Sequence, residues 1–467
     1  MRNRKRRMEF FSFYNHTAIT AHLEKMALKG WMLEEIRNTT WIYRRIEPRK
    51  LNFAVSYYPK ASEYDPEPTP EQQDFLDFCA HTGWKLACLS AQMQIFYNEA
   101  EHPVPIDTDA ELEVETIHAA VWKSFFPGQI VLLVMAIIIL LLNFIGFLGN
   151  PLYFLRNSLR VFSSVCWILV IFLVLTELIA YNRWHKKAEV AAENGIFLDM
   201  VNTTPIQIGS MVVLGICCVY LVLSYIIPAG PMMWYIMTAM TIYITSLFAL
   251  VNGIKRLLKR KKASRNVNRV VTIVMSFVLS FLMMSAVIFS TLKLAQNGFF
   301  DEKQETYTYK GTTFQVHKDD IPLKVEDMME ADPENYSYER RGDGSFLVSE
   351  FKMTQQVRFD AENWTELPEL SYRIVDVKMP LVYDICLNQL KKDLNQVAQL
   401  QIHYELRDKL VEIEPESWSA DKAWQVVSHE LTKTEHYLLC YGNRFVDITF
   451  DWSVTEEQKA IVAEKLG

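Results

Sequence analysis

Acidic residues almost vanish from the middle of this 467-residue chain: residues 126–296 hold four Asp or Glu against 14 Lys or Arg. The shortage coincides with long apolar runs. The basic residues that remain lie beside those runs, where lipid headgroups account for them better than nucleic acid does. The flanks carry the opposite balance. Residues 1–125 have 15 Lys or Arg and 18 Asp or Glu, net −3, and residues 297–467 have 19 and 33, net −14. An acidic C-terminal third argues against a phosphate-backbone partner there, and no direct nucleic-acid contact is expected.

Cysteine is scarce and unpatterned. The chain has seven and no C-x-x-C, which argues against zinc and dithiol chemistry. Cys79, Cys88, Cys166, Cys217, Cys218, Cys386 and Cys440 read as buried small hydrophobes. Cys386 and Cys440 are the one pair considered for a disulfide. No signal peptide is expected, since Met1–Arg7 is basic but Met8–Thr20 is no apolar core. Catalytic motifs are lacking too. His429-Glu430 is followed by His436, whereas a zinc helix needs its second His four residues after the first. Asp319-Asp320 lacks the Gly and the twelfth-position Glu of a calcium hand. Arg341-Gly-Asp343 reads as a turn. No carboxylates stand at a recognisable acid/base spacing, so no catalytic, cofactor-binding or metal residue is assigned, and no cofactor.

What is present is a membrane region. About 20 helical residues cross roughly 30 Å of hydrocarbon, and five runs are long enough, near 130–147, 161–180, 208–227, 232–251 and 270–292. In lipid they are expected as helices. Trp122, Phe125, Tyr153, Tyr181, Trp184 and Trp234 stand at their ends, as in an interfacial belt. The second and fourth loops carry eleven basic residues, among them Arg183, Lys187, Lys255, Lys262 and Arg265. The first loop has only Arg156 and Arg160. The positive-inside rule therefore places the N-terminus in the cytoplasm, and five crossings put residues 297–467 outside. Helices 3 and 4, joined by Pro228-Ala-Gly-Pro231, could instead re-enter as a pair with the same outcome. Glu177 is the clearest charge within a span, and is expected to reach Arg183 or Lys187 at the cytoplasmic interface. Asn143 suits an interhelical hydrogen bond.

The N-terminal 125 residues read as an α+β domain with an internal duplication of αββ units, offset by 53. Leu23, Ala27, Gly30, Trp31, Leu33 and Ile42 align with Leu76, Ala80, Gly83, Trp84, Leu86 and Ile95. Each glycine suits the left-handed position after a helix. Thr69 and Pro70 open the second helix. Trp41-Ile-Tyr-Arg, Leu51–Tyr58 and Gln94-Ile-Phe-Tyr read as strands, with the helices expected on one face of a single antiparallel sheet. Trp31 and Trp84 are expected to pack each helix on its sheet. Tyr64–Pro70 reads as a loop between the units.

Leu23-Glu-Lys-Met-Ala-Leu-Lys-Gly-Trp-Met-Leu33, Trp41-Ile-Tyr, Phe75-Leu-Asp-Phe-Cys-Ala-His-Thr-Gly-Trp84 and Ile95-Phe-Tyr97 resemble the bacterial domain-of-unknown-function family 2812, over about residues 9–125. One departure is Ile95-Phe-Tyr-Asn98, where many relatives have a Tyr-Phe-Arg-like strand. The resemblance implies a membrane protein of Gram-positive bacteria, often found with PadR-like transcription regulators. It supplies no activity and no catalytic residues.

Residues 297–467 read as a C-terminal α+β domain. Tyr336–Glu339 and Ser345–Phe351 flank Arg341-Gly-Asp-Gly344 as one hairpin; Tyr437–Tyr441 and Arg444–Phe450 flank Gly442-Asn443 as another. Leu381–Val397 has helical periodicity, and Thr455 with Gln458 caps the last helix. The whole reads as a multi-domain protein: an N-terminal α+β domain, a five-helix α transmembrane bundle at 126–296, and a C-terminal α+β domain. The expected function is non-enzymatic signalling or sensing, linking the outer domain to a cytoplasmic partner such as a PadR-type regulator. The alternatives are an envelope enzyme, or its accessory subunit, acting through the outer domain, and a transporter component.

Overall fold

The computed structural model describes residues 3–37, 40–200, 203–223, 227, 230–300, 305–395, 409–427 and 433–467. The chain divides into two compact units. The first comprises Met1–Ile139, Cys166–Val222 and Ile226–Phe300; the second comprises Leu140–Val165, Leu223–Tyr225 and Asp301–Gly467.

In the first unit the N-terminal region runs β1 (Arg4–Met8), α1 (His16–Leu28), β2 (Trp31–Arg37), β3 (Thr40–Arg45), β4 (Asn52–Tyr57), α2 (Pro70–His81), β5 (Lys85–Ser90) and β6 (Met93–Asn98). It holds two antiparallel three-stranded sheets, ordered β1-β3-β2 and β4-β6-β5, rather than the single sheet expected. The reason is local. Each hairpin pairs with the strand that precedes its own helix, so each helix closes a separate ladder. Register shifts fall at Leu33/Glu35 and at Leu86/Cys88, 53 residues apart. Gly30 (φ +78°) and Gly83 (φ +88°) end the two helices in the left-handed region. Thr69 accepts from the Gln72 amide to cap α2. Ile19, Leu23, Met26 and Ala27 of α1 pack with Leu33, Tyr43, Val55 and Ile95 in the main core. Cys79, Trp84 and Phe96 form a smaller one.

The two tryptophans are not equivalent. Trp84 is buried and donates from Nε1 to the Val104 carbonyl at 2.8 Å. Trp31 is half-buried, with Lys5 Nζ and the Arg45 guanidinium each 5.3 Å from its ring centre. Those cations come from β3 and from β1, the basic opening stretch, which pairs along β3 as an edge strand.

Five helices among the described residues are long and apolar enough to cross a membrane, as a multi-pass membrane protein requires. The first is continuous from Ala110 to Gly149: α3 (Ala110–Ala120), a π turn (Val121–Phe125) and α4 (Phe126–Gly149). Its opening turns belong to the N-terminal core through Val114, Ile117 and Val121. After the short α5 (Pro151–Arg156) come α6 (Ser158–Ala192), α7 (Thr204–Leu221), α8 (Gly230–Arg260) and α9 (Arg265–Gln296). Most of these helices run on past the apolar runs read from sequence. The backbone bonds of a helix continue for as long as propensity allows, whereas hydropathy marks only the part that prefers lipid. Their apolar side chains face outward: Phe277 and Phe281 are each 73% exposed. Of the link between helices 3 and 4, Pro228 and Ala229 lie outside the described residues; Gly230, at φ +75°, opens α8.

The second unit is built on a seven-stranded antiparallel sheet, ordered β12-β13-β14-β15-β11-β10-β9. A hairpin of β7 (Glu305–Tyr309) and β8 (Thr312–Val316) precedes it. Its strands are β9 (Tyr336–Gly344), β10 (Val348–Val357), β11 (Leu370–Val377), β12 (Lys409–Ile413), β13 (Lys422–Val427), β14 (Lys433–Tyr441) and β15 (Arg444–Phe450). α10 (Tyr383–Leu394) and α11 (Glu456–Leu466) complete it. One face carries Tyr336, Met353, Tyr372, Ile448 and Phe450 and packs on Val462 and Leu466 of α11. The other carries Val348, Val375, Leu438 and Phe445 under α10 and under Leu152 and Leu155 of α5. Gly442-Asn443 turns the β14–β15 hairpin as expected, and Thr455 with Gln458 forms the capping box of α11. The other hairpin turns later than its glycines suggest. Arg341-Gly-Asp-Gly344 is strand, paired with Ser349–Lys352, and Gly342 is needed for the close approach of β10: a Cβ there would collide with the Glu350 backbone and the Phe351 ring. Ser345 makes the turn, its Oγ accepting from the amides of Leu347 (3.0 Å) and Val348 (3.3 Å).

Candidate functional site

The segment between β1 and α1 carries three side chains with polar ends, Ser12, Tyr14 and Asn15, all buried. Asn15 caps α1, accepting from the Ala18 amide at 3.1 Å. Ser12 and Tyr14 turn toward α6, where Glu177 is only 8% exposed. Ser12 Oγ donates to Glu177 Oε2 at 2.7 Å and Tyr14 Oη donates to the same oxygen at 2.9 Å. Gln207 Nε2, from α7, donates to Oε1 at 2.6 Å. Thr203 Oγ1 lies 2.9 Å from Ser12 Oγ.

Glu177 therefore does not reach Arg183 or Lys187. A carboxylate only accepts hydrogen bonds, and here three neutral donors supply them. Burying a charge without partners would be prohibitive; three donors make it tolerable and fix its position. Burial, and then the neighbouring Glu177, push the Tyr14 phenol far above its ordinary range, so Tyr14 stays a proton donor. The Tyr14 ring meets Tyr181 edge-on at 5.1 Å and Phe125 at 5.7 Å. Tyr181 Oη is 2.9 Å from His118 Nδ1. This collar joins the N-terminal segment to two membrane helices.

Beside the network lies a cavity of about 660 Å³, bounded by Thr176, Ile179, Arg183, Lys187, Thr203 and Ile206 among others. A second attachment uses the segment read as a loop at Tyr64–Pro70, together with Glu63. Arg265 Nε and Nη2 donate to the two carboxylate oxygens of Asp65 at 2.5 and 2.7 Å. The fully buried Asn268 donates to the Tyr64 carbonyl at 3.0 Å. Lys255 pairs with Glu63 at 2.9 Å and Lys262 with Glu67 at 2.8 Å. The signal for this docking was present as alternating acids, Glu63, Asp65 and Glu67, against the basic fourth loop. The Ser12–Glu177 network left no such signal, since the bonds from Ser12 and Tyr14 to Glu177 span 165 and 163 residues and that from Gln207 spans 30.

The other residues singled out from sequence fall elsewhere. Asn143 Nδ2 donates to Ser164 Oγ at 3.2 Å, an interhelical bond. Cys386 and Cys440 are fully buried in one core and unbonded to each other. Burial pushes their thiols up to about 12 and about 11. His429 and Glu430 lie outside the described residues. His436 Nε2 is 2.6 Å from Asp447. Asp319 accepts from the Arg340 amide. Among the described residues no three His, Cys, Asp or Glu side chains are grouped to hold a metal ion.

Residues 17–126 match the model of a family described as protein of unknown function, DUF2812. No curated protein and no solved structure matches the chain.

Proposed function

We propose, from the premise that residues 17–126 are a DUF2812 region, that this chain is a non-enzymatic signalling or sensing protein of the cell membrane. In this reading residues 1–125 are a cytoplasmic domain of two αββ repeats. Residues 126–296 span the bilayer, and residues 297–467 form an extracytoplasmic sensing domain. The cytoplasmic partner is a transcription regulator of the PadR type, as the resemblance implies. The observation that carries the proposal is the buried carboxylate of Glu177. It ties the segment opening the N-terminal domain to two membrane helices at once, so a shift of α6 against α7 must strain or release Ser12 and Tyr14.

The orientation has its own support. The basic fourth loop pairs with Glu63, Asp65 and Glu67 of the N-terminal domain, and basic loops face the cytoplasm. The first loop, with two basic residues, instead contributes Leu152 and Leu155 to the core of residues 297–467. The duplication is supported by the shared sheet order and by register shifts at matching positions.

Two measurements test the proposal. Protease added to intact cells is expected to cut within residues 297–467 and leave residues 1–125 untouched; protection of the C-terminal domain overturns the orientation. The full-length chain in detergent is expected to retain a PadR-type regulator. Glu177→Ala is expected to keep that binding while abolishing the response of the regulator's target promoter. Absence of retention, together with unchanged transcription after deletion of the gene, sinks the signalling reading.

A further inference from the structure

Toward its C-terminal end α6 presents two adjoining faces. Glu177, Tyr181, Trp184 and Ala188 recur at helical spacing and are buried. Thr176, Ile179, Arg183 and Lys187 recur likewise on the neighbouring face and line the cavity of about 660 Å³ beside the Glu177 network. Along that face the chemistry changes in one direction. Ile179 is an exposed apolar side chain of the membrane-length run; Arg183 follows one turn later and Lys187 one turn after that. The opposite wall is the start of α7, where buried Thr203 is followed by exposed Ile206. The segment that leads into α7 is held against α6, because Trp184 Nε1 donates to the Leu198 carbonyl at 3.1 Å.

Among the described residues neither Arg183 nor Lys187 has a hydrogen-bond or ion-pair partner. The fourth loop differs: its Lys255, Lys262 and Arg265 are held by Glu63, Glu67 and Asp65. Asp199 is the one acid on the cavity wall, and it forms no ion pair with a described residue. Its field reaches His16, which burial keeps below the ordinary 6.5 and so mostly uncharged at neutral pH. Two positive charges therefore stand against one negative on the wall, and no described neighbour cancels the surplus of one. Beside them Ile196, Phe197 and Leu198 are exposed in a row. Three exposed apolar side chains next to two free cations are unfavourable in water. They suit the membrane surface, where apolar groups enter hydrocarbon and cations meet headgroups.

We propose that this cavity binds one anionic phospholipid, with its phosphodiester on Arg183 and Lys187 and its acyl chains passing Ile179 and Ile206 into the bilayer. The proposal rests on the reading of the Glu177 site as the link between α6 and α7, and names a ligand for it. Thr203 borders the cavity and lies 2.9 Å from Ser12 Oγ in the network, so a lipid seated here bears on both helices. A phosphodiester carries one negative charge and neutralises the surplus. A zwitterionic headgroup leaves the surplus in place, and a phosphate monoester, with nearly two charges at neutral pH, exceeds it. The arginine supplies a planar fork and the lysine a compact charge, the two donor shapes that phosphate oxygens accept. The cavity falls within the roughly 300–1,000 Å³ of ligand sites, and its apolar walls favour a lipid over a soluble ester.

The test uses the full-length chain in neutral detergent, titrated with phosphatidylglycerol, with phosphatidylcholine and with glycerol 1-phosphate. Lipid retained per chain is counted by native mass spectrometry, and thermal unfolding is followed in parallel. Saturable binding of phosphatidylglycerol with a rise in Tm is expected, with phosphatidylcholine at least tenfold weaker and no binding of glycerol 1-phosphate. The double variant Arg183→Gln, Lys187→Gln is expected to lose tenfold or more in affinity. Both side chains are exposed and unpartnered, so its Tm without lipid should match that of the parent. Lys186→Gln removes a charge at the same level of α6 but off the cavity wall, and is expected to bind as the parent does. Equal retention of the two lipids, equal loss in both variants, or saturation by glycerol 1-phosphate overturns the proposal. The readouts need no regulator and no promoter, so lipid binding stands or falls separately from the signalling reading.

Discussion

Gly30 and Gly83 hold the same place after their helices, yet they are not interchangeable. Both have positive φ, which costs an L-residue about 1–2 kcal/mol. At Gly30 a Cβ would also stand 2.9 Å from the Ile46 carbonyl oxygen and 3.3 Å from the Pro48 ring. At Gly83 its one neighbour is the Asn98 side-chain amide at 3.3 Å, which can move. Gly30→Ala is therefore expected to lower stability by about 2–4 kcal/mol, and Gly83→Ala by about 1–2 kcal/mol. Thermal unfolding of the two variants checks this, and equal losses would show that the backbone at Ile46–Pro48 yields freely. At this scale the sequence located both glycines, because helix ends obey local rules. It did not distinguish them, because Pro48 approaches from outside the helix. Glu177 teaches the same lesson. Its presence in an apolar run was legible; its donors Ser12, Tyr14 and Gln207 come from separate parts of the chain.

Among the elements, those whose reasons are local were anticipated and those stabilised by distant pairing were not. The caps at Thr69 and Thr455 and the Gly442-Asn443 turn lie where side chain and backbone settle matters within four residues. β1 escaped notice because Arg4-Lys-Arg-Arg-Met8 has no apolar alternation; it is a strand because β3 offers it a ladder, and its charges suit a solvent-facing edge. Tyr64–Pro70 reads from sequence as a loop, and with Glu63 it is a docking element. Its bidentate Asp65–Arg265 pair is only partly exposed, so it should exceed the roughly 0.2–1 kcal/mol of a surface pair. Asp65→Arg and Arg265→Asp are each expected to destabilise the chain. The double exchange should recover a coupling of about 1 kcal/mol or more in a double-mutant cycle. A cycle that closes at zero would reduce the pair to incidental contact.

For the molecule as a whole, the buried histidines of the N-terminal domain contribute a pH response of definite sign. Burial lowers the pKa of His16 and of His22 below the ordinary 6.5; for His22 the nearby Glu9 opposes burial without overcoming it. The unfolded chain therefore takes up these protons at a higher pH than the folded one. The stability involved is fully present above about pH 6.5 and is lost as pH falls through the lower folded values. Within that window the slope is roughly 1.4 kcal/mol per pH unit for each histidine. Glu113, pushed up to about 7 by burial, acts with the opposite sign over the same range, so the test is a difference: between pH 7 and pH 5 the stability of His22→Gln is expected to fall less steeply than that of the parent. An unchanged slope in that variant would remove His22 from the account.

The sequence by itself determined that five helices are long and apolar enough for a bilayer, since hydropathy is a sum over neighbours and needs no fold. It also determined where helices end at Gly30 and Gly83, and that the excess of acid lies in residues 297–467. Tertiary structure alone decided that Glu177 is held by neutral donors rather than by a cation. It decided too that the N-terminal strands form two ladders, and that Arg265 closes on Asp65 across 200 residues. Each of these depends on strand register or on side chains meeting across more than a hundred residues, and such meetings leave no periodic trace in the chain.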